Sequence, residues 1–126
     1  MLRSLRRFFR SSHPLAPENL GDRARDITFQ VMEEEDIANC LSFYRANETM
    51  HFPPGRLDYY ESKLRGREFL TLVAMRDAKP VGCCGIHYMT WTGGMPIGFF
   101  CFGMVDPAHQ RRGVGTAQVL VRIALL

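Results

Sequence analysis

The stretch Val105-Asp106-Pro107-Ala108-His109-Gln110-Arg111-Arg112-Gly113-Val114-Gly115-Thr116 decides the fold, because it joins an apolar segment to a run with helical character. The apolar segment, residues 97–105, predicts a buried strand, and a helix is predicted from Ala117. A loop that meets the first turn of a helix offers N–H groups without intrahelical acceptors, and these bind anions such as pyrophosphate. Gly113 and Gly115 allow a ligand to approach the backbone closely, since they carry no Cβ atom.

The side chains of Gln110, Arg111 and Arg112 add donors and positive charge at the mouth of this loop. The loop is not a P-loop, since no Gly-Lys-Ser/Thr follows the glycines, and it is not a dinucleotide fingerprint, since G-x-G-x-x-G is absent. The alternative interpretation is a plain strand-to-helix turn with two solvated arginines. The coincidence of the glycines, the proline and Gln-Arg-Arg favours an anion-binding loop.

Residues 105–115 resemble the cofactor motif V-x-P-x-x-Q/R-x-x-G-x-G/A of the GNAT superfamily of acyl-CoA-dependent N-acetyltransferases, and they match it at every defined position. The resemblance covers residues 27–126. It implies an α/β (α+β mixed) fold with a central, mostly antiparallel sheet flanked by helices. It also implies acetyl-CoA as co-substrate, and transfer of the acetyl group to a primary amine of a small molecule or peptide.

The resemblance further implies which residues hold acetyl-CoA. Backbone groups of Gly103, Met104 and Val105 would bind the pantetheine arm as an added strand would. The pyrophosphate would lie against a second set of amides and polar side chains, those of Gln110, Arg111, Arg112, Gly113, Val114, Gly115 and Thr116. No metal is expected.

The sequence identifies no catalytic residue. Many members of the family place a Glu on the strand that corresponds to residues 97–105, but this strand contains no acid. A backbone N–H on it would still polarise the thioester carbonyl. His87, Asp106 and Cys101 are candidates for the remaining chemistry, and a structural role is the alternative for each. The alternative to an enzyme is therefore a non-catalytic or incomplete CoA-binding module. A second copy in a homodimer, or a different partner chain, would then complete it.

The rest of the pattern predicts a strand at 27–31, helices at 37–46 and 57–66, and strands at 69–75 and 81–90. Gly82 and Gly85 indicate bulges or close approaches in the last of these strands. The loop at 47–56 is expected to select the acceptor in such folds. Two interpretations stay open for it: an acceptor site, with Glu48 on a cationic amine and an apolar pocket lined by Phe52 with Tyr59 or Tyr60, or simple closure of the core.

The composition limits the possible classes of protein. With 126 residues, 46% hydrophobic and 23% charged, the chain suits one folded domain and is not a wholly disordered polymer. The net charge of +3 comes from four arginines among the first 17 residues, and the remainder is close to neutral. That distribution argues against a broad nucleic-acid surface, and no apolar run reaches the length of a membrane helix, so neither partner is expected.

Residues 1–26 are predicted to be a basic amphipathic leader and linker, separate from the domain at 27–126. An arginine-rich leader without acids is typical of mitochondrial import peptides, and it also suits a solvated arm on a cytoplasmic protein. A cytoplasmic location is expected, with the mitochondrial matrix as the alternative. Cys40, Cys83, Cys84 and Cys101 lack paired zinc-site spacing and are interpreted as reduced core thiols, with Cys83 and Cys84 on opposite faces.

The final helix is unusually apolar: between Ala117 and Leu126 the only polar side chains are those of Gln118 and Arg122. A helix that is apolar on most sides is usually buried on most sides. In the family it resembles, further strands follow, so the domain is expected to lack its C-terminal strands, or else to be completed by a partner chain. Residues 99–102 would then line an unprotected, aggregation-prone edge. Trp91, beside the predicted turn at 92–96, is interpreted as a packing anchor.

Overall fold

One antiparallel sheet, in the order β1-β2-β3-β4, forms the centre of the molecule. The computed structural model describes residues 26–126, apart from the side chains of residues 49–51. The strands are β1 (Thr28–Val31), β2 (Leu70–Arg76), β3 (Lys79–Thr90) and β4 (Pro96–Val105), and the helices are α1 (Ile37–His51), α2 (Leu57–Arg65) and α3 (Val114–Ala124). The predicted mixed fold, with an antiparallel sheet flanked by helices, is confirmed. The predicted leader and linker lie outside the described residues, apart from Asp26.

Each face of the sheet has its own apolar core, because successive side chains of a strand point to opposite faces. Helices α1 and α2 cover one face, around Tyr44, Tyr60 and Leu64, and α3 covers the other through residues that include Val114 and Val121. Cys83 and Cys84 lie in the two different cores, as their adjacent positions predict. All four cysteines are free thiols. None of the helices in the described part of the chain is long and apolar enough to cross a membrane.

The pairing of β3 with β4 is interrupted by a bulge. The register shifts between Cys83 and Gly85, so that Phe102 and Gly103 of β4 stand opposite the single residue Cys84. Phe102 has a positive φ of 47° at this point. A Cβ atom on Gly82 would lie 2.5 Å from the Met104 carbonyl oxygen, so the strand passes its neighbours too closely for any side chain. The close approach predicted at this glycine is confirmed.

Four expectations from the sequence are corrected. Helix α1 continues to His51, five residues beyond the predicted end, and α3 begins at Val114 rather than at Ala117. The Trp91 side chain is 57% exposed, so it is not a packing anchor. The turn is closed instead by backbone hydrogen bonds, such as that from the Trp91 amide to the Met95 carbonyl (2.7 Å). Phe102 is also not an exposed edge residue: it packs into the aromatic core beneath α1 and α2, whereas Phe99 and Phe100 are exposed.

Candidate functional site

The loop between β4 and α3 begins with a turn that Asp106 closes. The Asp106 amide donates to the Val81 carbonyl (2.8 Å), which continues the sheet, and its carboxylate accepts from the Ala108 amide (3.1 Å). The residues Pro107–His109 then form a 3-10 turn. Asp106 therefore has a structural role as a cap, and its side chain is already hydrogen bonded within the turn.

The start of α3 presents a set of backbone donors. Gly113 adopts a left-handed conformation (φ 87°), and the first helical hydrogen bond runs from the Ala117 amide to the Gly113 carbonyl (3.0 Å). The amides of the three residues between them, Val114, Gly115 and Thr116, therefore have no acceptor inside the helix. No heavy atom lies within 4 Å of the position that a Cβ of Gly115 would take. This arrangement suits an anion at the helix N-terminus.

Two anchors fix this loop to the rest of the domain. The Val114 side chain is buried in the core beneath α3. On the other side, the Arg76 guanidinium donates to the Arg112 carbonyl (3.0 Å) and also forms an ion pair with Asp26 (3.1 Å). The loop is therefore held in place by contacts with the sheet, independently of any ligand.

A cleft of about 550 Å³ opens beside the loop. Its lining combines the end of α1, the outer part of β4 and the loop, and consists of Asn47, Phe52, Gly103, Val105, Gln110, Arg111 and Gly115. Five of the ten predicted cofactor residues thus meet in one cleft. The side chains of Met104 and Val114 belong instead to the two cores, which leaves their backbone groups for binding. A depression of similar size near Tyr88 has no charged residue in its lining, and this favours the cleft as the site for an anionic ligand.

Asn47 is a site residue that the sequence analysis assigned to a different role. Its side chain is buried, donating to the backbone carbonyls of Phe43 (2.8 Å) and Val105 (3.1 Å) and accepting from the side-chain nitrogen Nε2 of Gln110 (3.4 Å). One carboxamide therefore connects α1, the end of β4 and the loop. Its position in the predicted acceptor loop gave no signal of this, because the contacts join residues about 60 positions apart.

The outer edge of β4 offers backbone groups to a ligand. Antiparallel pairing alternates between residues that bond to the neighbouring strand and residues that point away from it. Since the Asp106 amide bonds to β3, the adjacent Val105 directs its backbone away from β3, where its carbonyl meets Asn47. No strand within residues 26–126 pairs with this edge.

Two of the three catalytic candidates line a smaller pocket. It has a volume of about 200 Å³ and is lined by Tyr59, Lys63, Glu68, Phe69, His87, Cys101 and Phe102. Burial raises the pKa of the Cys101 thiol, and the nearby cation of Arg122 only partly opposes this rise. The thiol is therefore protonated at neutral pH, which makes Cys101 a poor nucleophile. His87 lies near the ring of Phe69, with 6.5 Å between the ring centroids.

The predicted acceptor-binding residues do not form a single pocket. Tyr60 is buried in the aromatic core, Phe52 stacks on Tyr44 beside the larger cleft, and Tyr59 lies at the smaller pocket beneath the cations of Arg56 and Lys63. Phe52 and Tyr60 belong to one core beneath α1 and α2, which favours the second interpretation of this loop, closure of the core. A Glu48 carboxylate oxygen accepts from the Gly55 amide (3.0 Å) and so closes the loop between α1 and α2.

The four-stranded sheet, the helices on both faces and the glycine loop at the start of α3 together define an acyltransferase type of fold. The model of the Acetyltransferase (GNAT) family matches residues 37–120, two thirds of the chain, and the chain belongs to this family. No curated protein sequence matches the chain. Among the described residues, no group of three or more potential ligand side chains is arranged to hold a metal ion.

Solved structures share the fold at low sequence identity. The glucosamine N-acetyltransferase region of a fungal multi-domain β-N-acetylglucosaminidase has a TM-score of 0.66 at 19% identity, and the match covers 77% of this chain but only 12% of that one. The ribosomal-protein-alanine N-acetyltransferase of Brucella melitensis has a TM-score of 0.64 at 17% identity, with 78% and 70% covered. A predicted acetyltransferase of Clostridium acetobutylicum, solved with acetyl-CoA, has a TM-score of 0.56 at 14% identity, with 79% and 73% covered.

Proposed function

We propose that this chain binds acetyl-CoA and transfers its acetyl group to a primary amine of a small molecule or a peptide. The observation that carries the proposal is the cleft of about 550 Å³, which joins the donor-rich start of α3 to the outer edge of β4. A ligand with a pyrophosphate at one end and an extended amide-containing arm at the other fits both parts. Membership of the acetyltransferase family supports the same reaction class.

The residues present fit the phosphate end of acetyl-CoA. The amides of Val114, Gly115 and Thr116 point out of the helix, and the space next to Gly115 allows a phosphate oxygen to reach them. Gln110 is oriented by Asn47 at the rim of the same cleft. Arg111 also lines it and adds positive charge. These groups bind and orient the co-substrate without taking part in the chemistry.

The residues of β4 fit the other end. Gly103 and Val105 line the cleft, and the strand edge can pair with the amides of the pantetheine arm. When bound, acetyl-CoA supplies an activated thioester. A backbone N–H of β4 would donate to the thioester oxygen as negative charge develops on it, and holding both substrates in one cleft would supply much of the remaining rate.

The acceptor is proposed to enter from the smaller pocket near the β4 bulge. This pocket combines aromatic walls with the ion pair of Lys63 and Glu68 (3.1 Å), so it offers both apolar contact and polar groups to an acceptor. Two of the three similar proteins named above are acetyltransferases of an amino sugar and of a protein alanine. Both acceptors are amines, and this supports the class of acceptor rather than a particular molecule.

A second candidate function is a CoA-binding module without turnover, completed by a partner chain or a second copy. The absence of any acidic residue in the sequence of β4 favours it, since such a residue would be the simplest proton acceptor beside the thioester. Asp106, the next acid along the chain, is occupied by its turn.

Titration calorimetry with acetyl-CoA tests the binding proposal. Wild-type protein should bind, and Gly113→Glu should weaken binding by at least about 100-fold, because it places a negative charge and a side chain where the pyrophosphate would lie. Gly93→Glu is the matched control: Gly93 shares the left-handed conformation of Gly113 and has no heavy atom within 4 Å of a Cβ position, but it lies in the β3–β4 turn at the opposite end of β4. Absence of binding by folded wild-type protein, or equal binding by both variants, contradicts the proposal.

A screen of amines for release of free CoA thiol separates the enzyme from the module. The enzyme releases thiol in the presence of acetyl-CoA and a suitable amine, and Gly113→Glu abolishes the release. A protein that binds acetyl-CoA but releases no thiol with amino sugars, polyamines, amino-acid amides and peptides supports the module instead.

A further inference from the structure

Helix α3 has its polar and apolar side chains in unexpected places. Gln118 and Arg122, its two polar residues beyond the first turn, are only 2% and 6% exposed, whereas Val119 and Ile123 are 42% and 47% exposed. Residues four positions apart lie on the same face of a helix, so Gln118 and Arg122 together face the sheet. Burying polar groups is unfavourable unless they are hydrogen bonded. Their partners therefore indicate why they lie on this face.

Gln118 connects the two strands at the residue pair next to the bulge. Its amide nitrogen donates to the carbonyl of Cys83 on β3 (3.2 Å) and to the carbonyl of Met104 on β4 (3.0 Å). Cys83 and Met104 are the last paired residues before the register shifts. Gly82 makes room for this contact, since a Cβ there would lie 2.8 Å from the Gln118 amide nitrogen.

Arg122 contacts the strands on the other side of the bulge. It donates from Nε to the Gln118 carbonyl (3.1 Å) and from a terminal nitrogen to the carbonyl of Gly85 on β3 (3.3 Å). Its guanidinium carbon lies 4.5 Å from the ring centroid of Phe100 on β4. A Cβ on Gly103, one of the bulge residues, would lie 3.3 Å from the other terminal nitrogen. The two side chains thus contact both strands before and after the irregularity.

We propose that Gln118 and Arg122 are positioning residues of the acyl-CoA site, which hold the bulged edge Gly103–Val105 of β4 in a fixed position relative to the start of α3. This inference rests on the proposed function. The same helix carries the anion-binding amides at its first turn and these two side chains one and two turns later. A rigid helix separates residues 115 and 122 by about 10 Å along its axis. It therefore sets the distance between the pyrophosphate and the pantetheine subsites.

Two ligands distinguish positioning from general stability. Acetyl-CoA spans both subsites, whereas adenosine 3′-phosphate 5′-diphosphate carries the phosphates and lacks the pantetheine arm. In Gln118→Met and Arg122→Met, an unbranched apolar side chain replaces the polar one, so its hydrogen-bond donors are lost. We expect the affinity for acetyl-CoA to fall by about tenfold or more, and that for the nucleotide to change by less than about twofold. Arg122→Lys, which retains a cation, should recover part of the affinity.

The controls lie on the same helix. Val119→Gln changes an exposed position and should leave both affinities unchanged, and Gly113→Glu should weaken both ligands together. The ratio of the two affinities is compared only among variants that are folded, as judged by a cooperative thermal transition. If Arg122→Met does not fold, Arg122→Lys and Gln118→Met provide the test. Wild-type protein that binds neither ligand defeats the proposed function. Wild-type binding with an unchanged ratio in the variants overturns the positioning role alone.

Discussion

The two faces of the sheet are built differently. Beneath α1 and α2 the core is aromatic: Tyr60 lies between Tyr44 and Phe102, with centroid separations of 5.1 and 4.7 Å, and Tyr44 also stacks on Phe52 at 4.9 Å. Beneath α3 a smaller apolar core is joined by the two hydrogen-bonded polar side chains described above. Apolar burial contributes free energy without strict geometry, whereas hydrogen bonds require defined distances and angles. The first face therefore mainly provides stability, and the second mainly determines alignment.

The largest expected effect is on the aromatic face. Tyr60→Ala removes a fully buried ring and should lower the free energy of unfolding by about 3–5 kcal/mol, measured by urea denaturation. Tyr59→Ala is the matched control on the adjacent, exposed residue, and it should change the free energy by no more than about 1 kcal/mol, since it loses only surface contacts with Arg56 and Lys63. Similar losses in the two variants would show that this aromatic core does not dominate stability.

An intermediate effect is expected at Asn47, where the aromatic face meets the site. Asn47→Leu roughly keeps the side-chain volume but leaves the Val105 backbone carbonyl and the Gln110 side-chain nitrogen without this partner. The free energy of unfolding should therefore fall by about 1–3 kcal/mol. The control is Asn39→Leu, an exposed position on the same helix. If both substitutions are equally mild in urea denaturation, the connection from α1 to the loop contributes nothing to stability.

The effect expected to be smallest at neutral pH is a loss of stability that grows at alkaline pH. Burial raises the pKa of the Cys84 thiol to about 12, although the Arg122 cation opposes the rise. Between the ordinary pKa of about 8.5 and this value, the unfolded chain loses the thiol proton and the folded chain keeps it. Stability is therefore complete below pH 8.5 and should fall above it, by up to about 1.4 kcal/mol per pH unit for this thiol.

Denaturation under reducing conditions at pH 8, 9.5 and 10.5 measures that slope. Cys84→Ala should make it shallower, and Cys101→Ala should do so less, because the Cys101 thiol is only half-buried. A slope that neither substitution changes would assign the pH dependence to other groups, among them Tyr60, whose pKa burial also raises.

The sequence predicts the strands and the loop because both depend on local patterns. Alternating apolar residues, turn residues and the spacing of Gly113 and Gly115 act over a few positions, and the structure has these elements close to the predicted bounds. The end of α1 was not predictable in this way. Asn47 would normally favour the end of a helix, but its side chain bonds to Val105 in a distant strand, and this tertiary contact supports the additional turn.

The candidate site was predictable only in part, for the same reason. The motif identifies the loop, and five of its predicted residues lie in the cleft, but the roles of Gln118 and Arg122 depend on a bulge that no local pattern specifies. A signal was present: two polar residues four positions apart in an otherwise apolar helix, opposite strands containing Gly82 and Gly103. Periodicity alone would place such residues in solvent, and tertiary hydrogen bonds reverse that prediction.

At Gly115 we expect selection for stability and selection for binding to act in opposite directions. Its backbone does not need a glycine, since its φ is not positive and a Cβ would meet nothing within 4 Å. An alanine in a helix is usually more stable than a glycine, by about 1 kcal/mol. In a library screened only for folding, alanine at 115 should therefore be enriched. In a library screened for acetyl transfer, the glycine should persist, and the contrast between the two screens would locate the ligand without a structure of the complex.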